Sequence, residues 1–220
     1  MNSNARGEVN QVGSLDSVRR GKVILIFDLD DTLSYSDNNL YENGEYPAGS
    51  DYGLPIPSAV EFVQDVLARD IRVECFILTA NGNVEDIMAK VREFAKAVGR
   101  SNLFKYILYR SKPGYYKKTY EKILELYYGD GPLVHIPYPI YFFDNAKDQI
   151  NSVYTSAMED GAKCLFTIHV ERADLASTWA NAKGLLLDGT NTLQPLSPIV
   201  LTPRPTEVGG RRTRRRKQKK

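Results

Sequence analysis

No stretch of this chain approaches the roughly 18 consecutive apolar residues that a membrane-spanning helix requires. The opening segment, MNSNARGEVNQVGSLDSVRRG, is polar and lacks the apolar centre of a secretory leader. The expectation is therefore an intracellular protein with no membrane partner. Cysteine is scarce. Cys75 and Cys164 each sit inside an apolar, strand-like run, which favours buried free thiols and a reducing compartment over a disulfide or a metal site. Internal repeats are absent. The chain has 220 residues, 42% hydrophobic and 10% aromatic, enough for one domain with a substantial core.

A uniformly basic surface is also missing, although the formal net charge is +2. Residues 211–220, RRTRRRKQKK, hold eight Lys and Arg and no acid; the remaining 21 basic residues face 27 acidic ones, leaving a body of about −6. A Pro-, Thr- and Gly-containing stretch precedes this tail. The chain thus divides into a flexible segment (1–20), a folded domain (21–194), a linker (195–210) and a basic tail (211–220). The tail suits nucleic-acid contact or recognition by import machinery, which would place the protein in the nucleus; a solvated end with no partner, in a cytoplasmic protein, is the plain alternative.

Against these absences stands VILIFDLDDTLS, residues 23–34. Val23 to Phe27 reads as a strand buried on both faces, of the kind found centrally in parallel sheets. It ends in Asp28, Asp30, Asp31 and Thr32, where open α/β sheets place their ligands. Asp28 and Asp30, at i and i+2 on extended chain, would point the same way. A turn with helix-capping acids is the alternative for this cluster alone. Further strands are expected at Ile71–Leu78, Leu103–Tyr109, Ile140–Phe143 and Cys164–Val170. Between them lie helices, one opened by a Ser58/Glu61 capping box and one with Val84, Ile87, Met88, Val91, Phe94, Ala95 and Val98 on one face. Residues 171–194 are less legible, with Trp179 packed against the body. Alternating strands and helices imply right-handed crossovers and a parallel sheet covered on both sides.

Four strand ends then carry chemistry in order: Asp28/Asp30, Thr79, Lys112 and Asp144/Asn145. A carboxylate, a hydroxyl, an ammonium and a metal-binding acid along one sheet edge suit phosphoryl transfer. The phosphomonoester dianion repels a carboxylate nucleophile, so the site must bring positive charge.

With these residues in view, the chain resembles the phosphatases of the haloacid dehalogenase superfamily. FDLDDTL matches the DxDx[TV] motif, ILTANG resembles the second motif and FFDNAKD the fourth, over residues 22–170. The resemblance implies a three-layer Rossmann-like fold with a parallel sheet of about five strands. By the same resemblance Asp28 is the nucleophile that forms an aspartyl-phosphate, Asp30 the general acid and base, and Asp31 a helper or turn residue. Thr79 and Lys112 contact the phosphoryl group, with Lys117 and Lys118 as substitutes for Lys112. Thr32, Ala80 and Asn81 line the substrate site. Mg²⁺ is bound by Asp28, the Asp30 carbonyl and the Asp144/Asn145 pair, and Asp148 fits the more general fourth-motif pattern. The Asp-Asn pair is similar to the branch acting on the phosphorylated C-terminal domain of RNA polymerase II, and FFDN to small magnesium-dependent phosphatases.

Neither the interval from Thr32 to Ser58 nor that from Lys112 to Asp144 holds the roughly 50 residues of a cap domain. A capless, open site points to phosphate on a macromolecule, a phosphoprotein before a nucleic acid. A polynucleotide 3′-phosphatase, faintly suggested by YRSKPG, and a small-metabolite phosphatase are the enzymatic alternatives. A receiver domain carries its phosphorylated aspartate on the third strand, where this chain has none. An inactive relative would lack one of the chemical residues that are all present here.

Overall fold

The computed structural model describes residues 9–17, 19, 21–36, 53–69 and 71–192. The linker, the basic tail and most of the loop between Ser34 and Ile56 lie outside these residues. Six strands form one sheet: β1 (Val9–Gly13), β2 (Lys22–Phe27), β3 (Arg72–Thr79), β4 (Phe104–Tyr109), β5 (Ile140–Asp144) and β6 (Cys164–His169). Their spatial order is β1-β6-β5-β2-β3-β4. All neighbours are parallel except the β1–β6 pair.

The helices are α1 (Pro57–Leu67), α2 (Val84–Val98), α3 (Tyr120–Tyr128), α4 (Lys147–Glu159) and α5 (Leu175–Thr192). Alternation along β2 builds two cores. Leu25 and Phe27 face Phe62 and Val66 of α1, Val91 and Phe94 of α2, and Trp179 of α5. Ile24 and Ile26 face Ile123 of α3 and Ile150 and Val153 of α4. Phe27, Phe143, Phe62 and Trp179 form one aromatic cluster, with Phe27 and Phe143 stacked at 5.0 Å and Phe62 and Trp179 5.0 Å apart. The expected position of Trp179 is what the structure shows.

From β2 the chain steps outward through β3 to β4, then returns to the other side of β2 for β5 and β6. The C-terminal ends of β2 and β5 therefore flank the point where the connection reverses, the usual ligand crevice of such sheets.

Three expectations need correction. Residues 9–13, placed in a flexible segment, form an antiparallel edge strand with Val12 opposite Leu165. Only Val12 on this strand is buried, so its apolar signal is one residue deep. Gly13 (φ 74°) is required where it stands, because a Cβ there would lie 2.0 Å from the Lys163 carbonyl oxygen. Ser58 does not cap α1. Pro57 occupies the first helical turn after Ile56, so the helix starts ahead of the supposed cap. On α2, Val84 and Met88 are exposed, whereas Lys90 is buried with Ile87, Val91 and Phe94.

At the opposite end of the sheet from the crevice, buried Glu74 pairs with Lys22 at 2.6 Å, Lys105 at 2.7 Å and Arg72 at 3.1 Å. Burial pushes the Glu74 carboxyl up, but hydrogen bonds from Lys105 and Lys22 outweigh it and hold the group below the ordinary glutamate value. A carboxyl lowered on folding adds stability above its unfolded value of about 4.3 and loses it as pH falls through the folded value. Glu74→Gln should therefore cost about 3 kcal/mol in urea unfolding at neutral pH, because Lys22 is left largely buried beside a neutral amide. The difference from the parent should narrow as the pH drops below about 4; a constant difference would show that the charge is not what stabilises.

Candidate active site

The first aspartate is positioned by the ladder itself. The Asp28 amide donates to the Phe143 carbonyl at 2.8 Å, extending the β2–β5 pairing one residue beyond β2. Leu29 and Leu33 are fully buried and anchor a turn in which Leu33 and Ser34 both donate to the Leu29 carbonyl. Asp31 has φ 57°, the left-handed region, which aspartate tolerates better than most side chains. Its carboxylate accepts the Ser36 amide at 3.0 Å and pairs with Arg172 at 2.8 Å. Asp31 thus shapes the turn, as a helper or turn residue should. Thr32 is fully buried in the same turn, and among the described residues its hydroxyl has no hydrogen-bond partner.

Lys118 is the cation at the crevice. Its Nζ lies 2.6 Å from Asp28 Oδ1 and 2.6 Å from Asp144 Oδ2, and the side chain is 1% exposed. Its backbone is fixed as well: the amide donates to Gln149 Oε1 at 2.8 Å and the carbonyl accepts from Ser152 Oγ at 2.6 Å. Lys112 and Lys117 are exposed, so the lysine placed beside the carboxylates is the third of the three considered. Burial pushes Asp28 and Asp144 above the usual carboxylate range, with the charge and hydrogen bonds of Lys118 opposing it. For Lys118 the order reverses: burial lowers it, but the two carboxylates outweigh burial and keep it an ammonium.

Asp30 is held from the other side. Lys90 Nζ donates to Asp30 Oδ1 at 2.6 Å and to Asp86 Oδ2 at 2.8 Å. Asn81 Nδ2 donates to Asp30 Oδ2 at 2.9 Å and to Asp86 Oδ2 at 2.7 Å. Burial raises the Asp30 carboxyl, and Lys90 opposes the shift. Thr79, buried at the end of β3, accepts the Asn81 amide on its Oγ1 at 3.1 Å; Ala80 between them is half-buried.

At β5, Asp144 Oδ1 accepts the Ala146 amide at 2.8 Å. The Asn145 side chain, with its amide assigned to satisfy its neighbours, donates to the Asp30 carbonyl at 3.2 Å and accepts from Arg172 Nε at 2.9 Å and Nη2 at 2.6 Å. His169 Nε2 lies 2.9 Å from the Asn145 carbonyl oxygen. Asp148 is exposed and accepts the Tyr115 hydroxyl at 2.8 Å.

The structure thus gathers Asp28, Asp30, Asn81, Asp144 and Asn145, with Thr79 fixed to Asn81, and leaves Lys112 outside. Lys90, Asp86, Arg172 and His169 are the residues that sequence reasoning missed. Lys90 left one signal, a cation among the apolar positions of an amphipathic helix. Arg172 left none, because its role depends on where β6 ends.

No family model and no curated protein matches the chain. Among solved structures, the HAD domain of effector protein Lem4 from Legionella pneumophila, as an inactive mutant, aligns over 79% of this chain and 100% of that domain, with a TM-score of 0.50 and 15% identity. The same domain without that designation gives 0.48 and 15% over 76% and 96%, and an uncharacterised Listeria monocytogenes protein 0.37 and 17% over 57% and 68%. The first match shows a shared HAD-type α/β fold.

Replacing Lys118 by Met leaves two buried carboxylates side by side without an ammonium. Chemical denaturation should show a loss of about 3 kcal/mol or more at neutral pH, partly recovered by adding Asp144→Asn. Lys112→Met should change stability by less than about 0.5 kcal/mol, as an exposed substitution does. Equal losses in the two lysine variants would contradict the arrangement.

Proposed function

We propose that this protein is a Mg²⁺-dependent phosphatase that hydrolyses a phosphomonoester through an aspartyl-phosphate on Asp28. The observation that carries the reading is the buried Lys118 ammonium, 2.6 Å from both Asp28 and Asp144 at the mouth between β2 and β5. A carboxylate nucleophile facing a phosphate dianion needs a fixed positive charge beside it, and in a water-poor site that charge acts at full strength.

In the first step an Asp28 carboxylate oxygen attacks phosphorus. The bond to the leaving oxygen breaks with its electron pair, and that oxygen takes the proton of the Asp30 carboxyl. In the second step Asp30, now a carboxylate, removes a proton from water as the water oxygen attacks phosphorus. The bond to Asp28 breaks, which releases inorganic phosphate and restores the nucleophile. Lys118 takes the part expected of Lys112. The Thr79 hydroxyl accepts from Asn81 and keeps its own proton for a phosphoryl oxygen.

The donor set fits Mg²⁺. Among the described residues no three His, Cys, Asp or Glu side chains form a metal cage. Mg²⁺, however, is held by one or two carboxylates together with other oxygens and water. Asp28 supplies a carboxylate at β2, and the Asn145 amide faces the Asp30 carbonyl at 3.2 Å; turned so that its oxygen lies on that side, it would be a ligand beside that carbonyl at the end of β5. These three groups would hold the ion, with Asp144 behind them on Lys118. When bound, it supplies positive charge to the phosphoryl oxygens.

The likeness in fold to the Lem4 HAD domain supports this reading. Residues 110–119 between β4 and α3, and residues 37–52, are each too few for a cap domain of roughly 50 residues. Intervals this short support a phosphorylated macromolecule, a phosphoprotein before a nucleic acid, because the body is acidic. A polynucleotide 3′-phosphatase is the second reading, favoured by exposed Lys112 and Lys117 and by half-buried Arg110 on the segment leading to Lys118.

With Mg²⁺, the parent should hydrolyse p-nitrophenyl phosphate, and Asp28→Asn should lose activity by about 10³-fold or more. An inert parent, or an Asp28→Asn variant with full activity, would refute the mechanism. Rates on phosphopeptides and on 3′-phosphorylated oligonucleotides then decide between the two substrate classes.

A further inference from the structure

Resting on that phosphatase reading, we infer that Lys90 is a positioning residue that acts through Asp30, the group assigned to proton transfer. Helix α2 turns its apolar face into the core with Ile87, Val91 and Phe94, and Lys90 is 2% exposed among them. An ammonium is costly to bury, and a leucine or methionine would fill such a position more readily. What the lysine adds lies at its end. Nζ reaches Asp30 Oδ1 at 2.6 Å and Asp86 Oδ2 at 2.8 Å.

The opposite oxygen of Asp30 is held by Asn81 Nδ2 at 2.9 Å, and Asp86 accepts from the same amide at 2.7 Å. Asp86 therefore anchors both donors, and the two donors grip both oxygens of one carboxylate. Asn83 fixes this corner to the helix start, because its side chain accepts the Asp86 amide at 3.2 Å. Asp30 remains 27% exposed, so the carboxylate is pinned on its inner side and open on its outer one. That is the geometry of a group that must meet a leaving oxygen at a fixed place. Proton transfer needs heavy atoms within about 2.6–3.2 Å, and a displacement of about 1 Å costs on the order of 10²-fold.

A residue that merely fills the core and a residue that aims Asp30 differ in one readout, the dependence on leaving group. p-Nitrophenolate leaves without needing a proton, whereas the alkoxide of O-phosphoserine does not. Kinetic constants kcat/KM report events up to cleavage of the leaving-group bond. For Lys90→Met, kcat/KM should fall by about 30-fold or more on O-phosphoserine and by no more than about 5-fold on p-nitrophenyl phosphate. Lys90→Arg should return part of the O-phosphoserine activity.

Asp86→Asn keeps the lysine but weakens its anchor, and it should show the same selective loss in smaller measure even if Lys90→Met folds poorly. Equal losses on both substrates in Lys90→Met and Asp86→Asn, or none, would overturn the role of Lys90 while leaving the Asp28 mechanism intact. A parent inert on both substrates would overturn the phosphatase reading itself.

Discussion

Two carboxylates from neighbouring strands share one ammonium in a buried crevice, and the rest of the site is arranged around that contact. Asp28 and Asp144 end β2 and β5, which are hydrogen-bonded partners, so parallel pairing alone brings their side chains together. Left by themselves, two buried acids would repel and take up protons. Lys118 removes the conflict, and α4 holds Lys118: Gln149 accepts its amide and Ser152 donates to its carbonyl. The βα unit that delivers Asp144 thus also fixes the cation that Asp144 requires. Breaking such a triad costs far more than its net worth, because each partner is desolvated for the others.

Much of this was legible in the sequence wherever a strand was central. Val23–Phe27 and Ile140–Phe143 are apolar on both faces because helices cover both sides of the sheet, so their limits and the acids beyond them stand out. β1 was missed for the opposite reason: an edge strand with one buried side chain has almost no apolar pattern. Which lysine sits beside the carboxylates was not legible, because residues 110–119 carry three lysines on irregular chain, where spacing has no period to read. Burial separates them, and burial is set by α3 packing on α4, a tertiary fact. Lys90 was passed over because a helical wheel scores it as a defect in an apolar face, and only its partners show otherwise.

The two aspartates of the opening motif do not share a partner, although i and i+2 spacing suggested a common direction. The chain leaves the extended conformation after Asp28 and turns at Asp31. Asp28 meets a lysine adjoining the α3 and α4 layer, and Asp30 meets a lysine from α2, in the opposite layer. Separate counter-ions would let the two groups do the different work proposed for them. A nucleophile must stay ionised, whereas a general acid must be able to gain and lose a proton. One lysine bridging both would tie their charge states together.

The charges of the buried triad do not balance, and the imbalance bears on the proposed metal. Among the described residues, Asp28 and Asp144 share Lys118, two carboxylates against one cation. This triad has a net charge of −1 when all three are ionised, in surroundings where charge is poorly screened. A phosphomonoester dianion approaching it would meet repulsion that one lysine, already engaged by two acids, does not offset. A divalent cation, as proposed above, would offset that charge and favour the approach of the phosphate. The proposed Mg²⁺ would thus suit the pairing pattern as well as the oxygen atoms that would hold it.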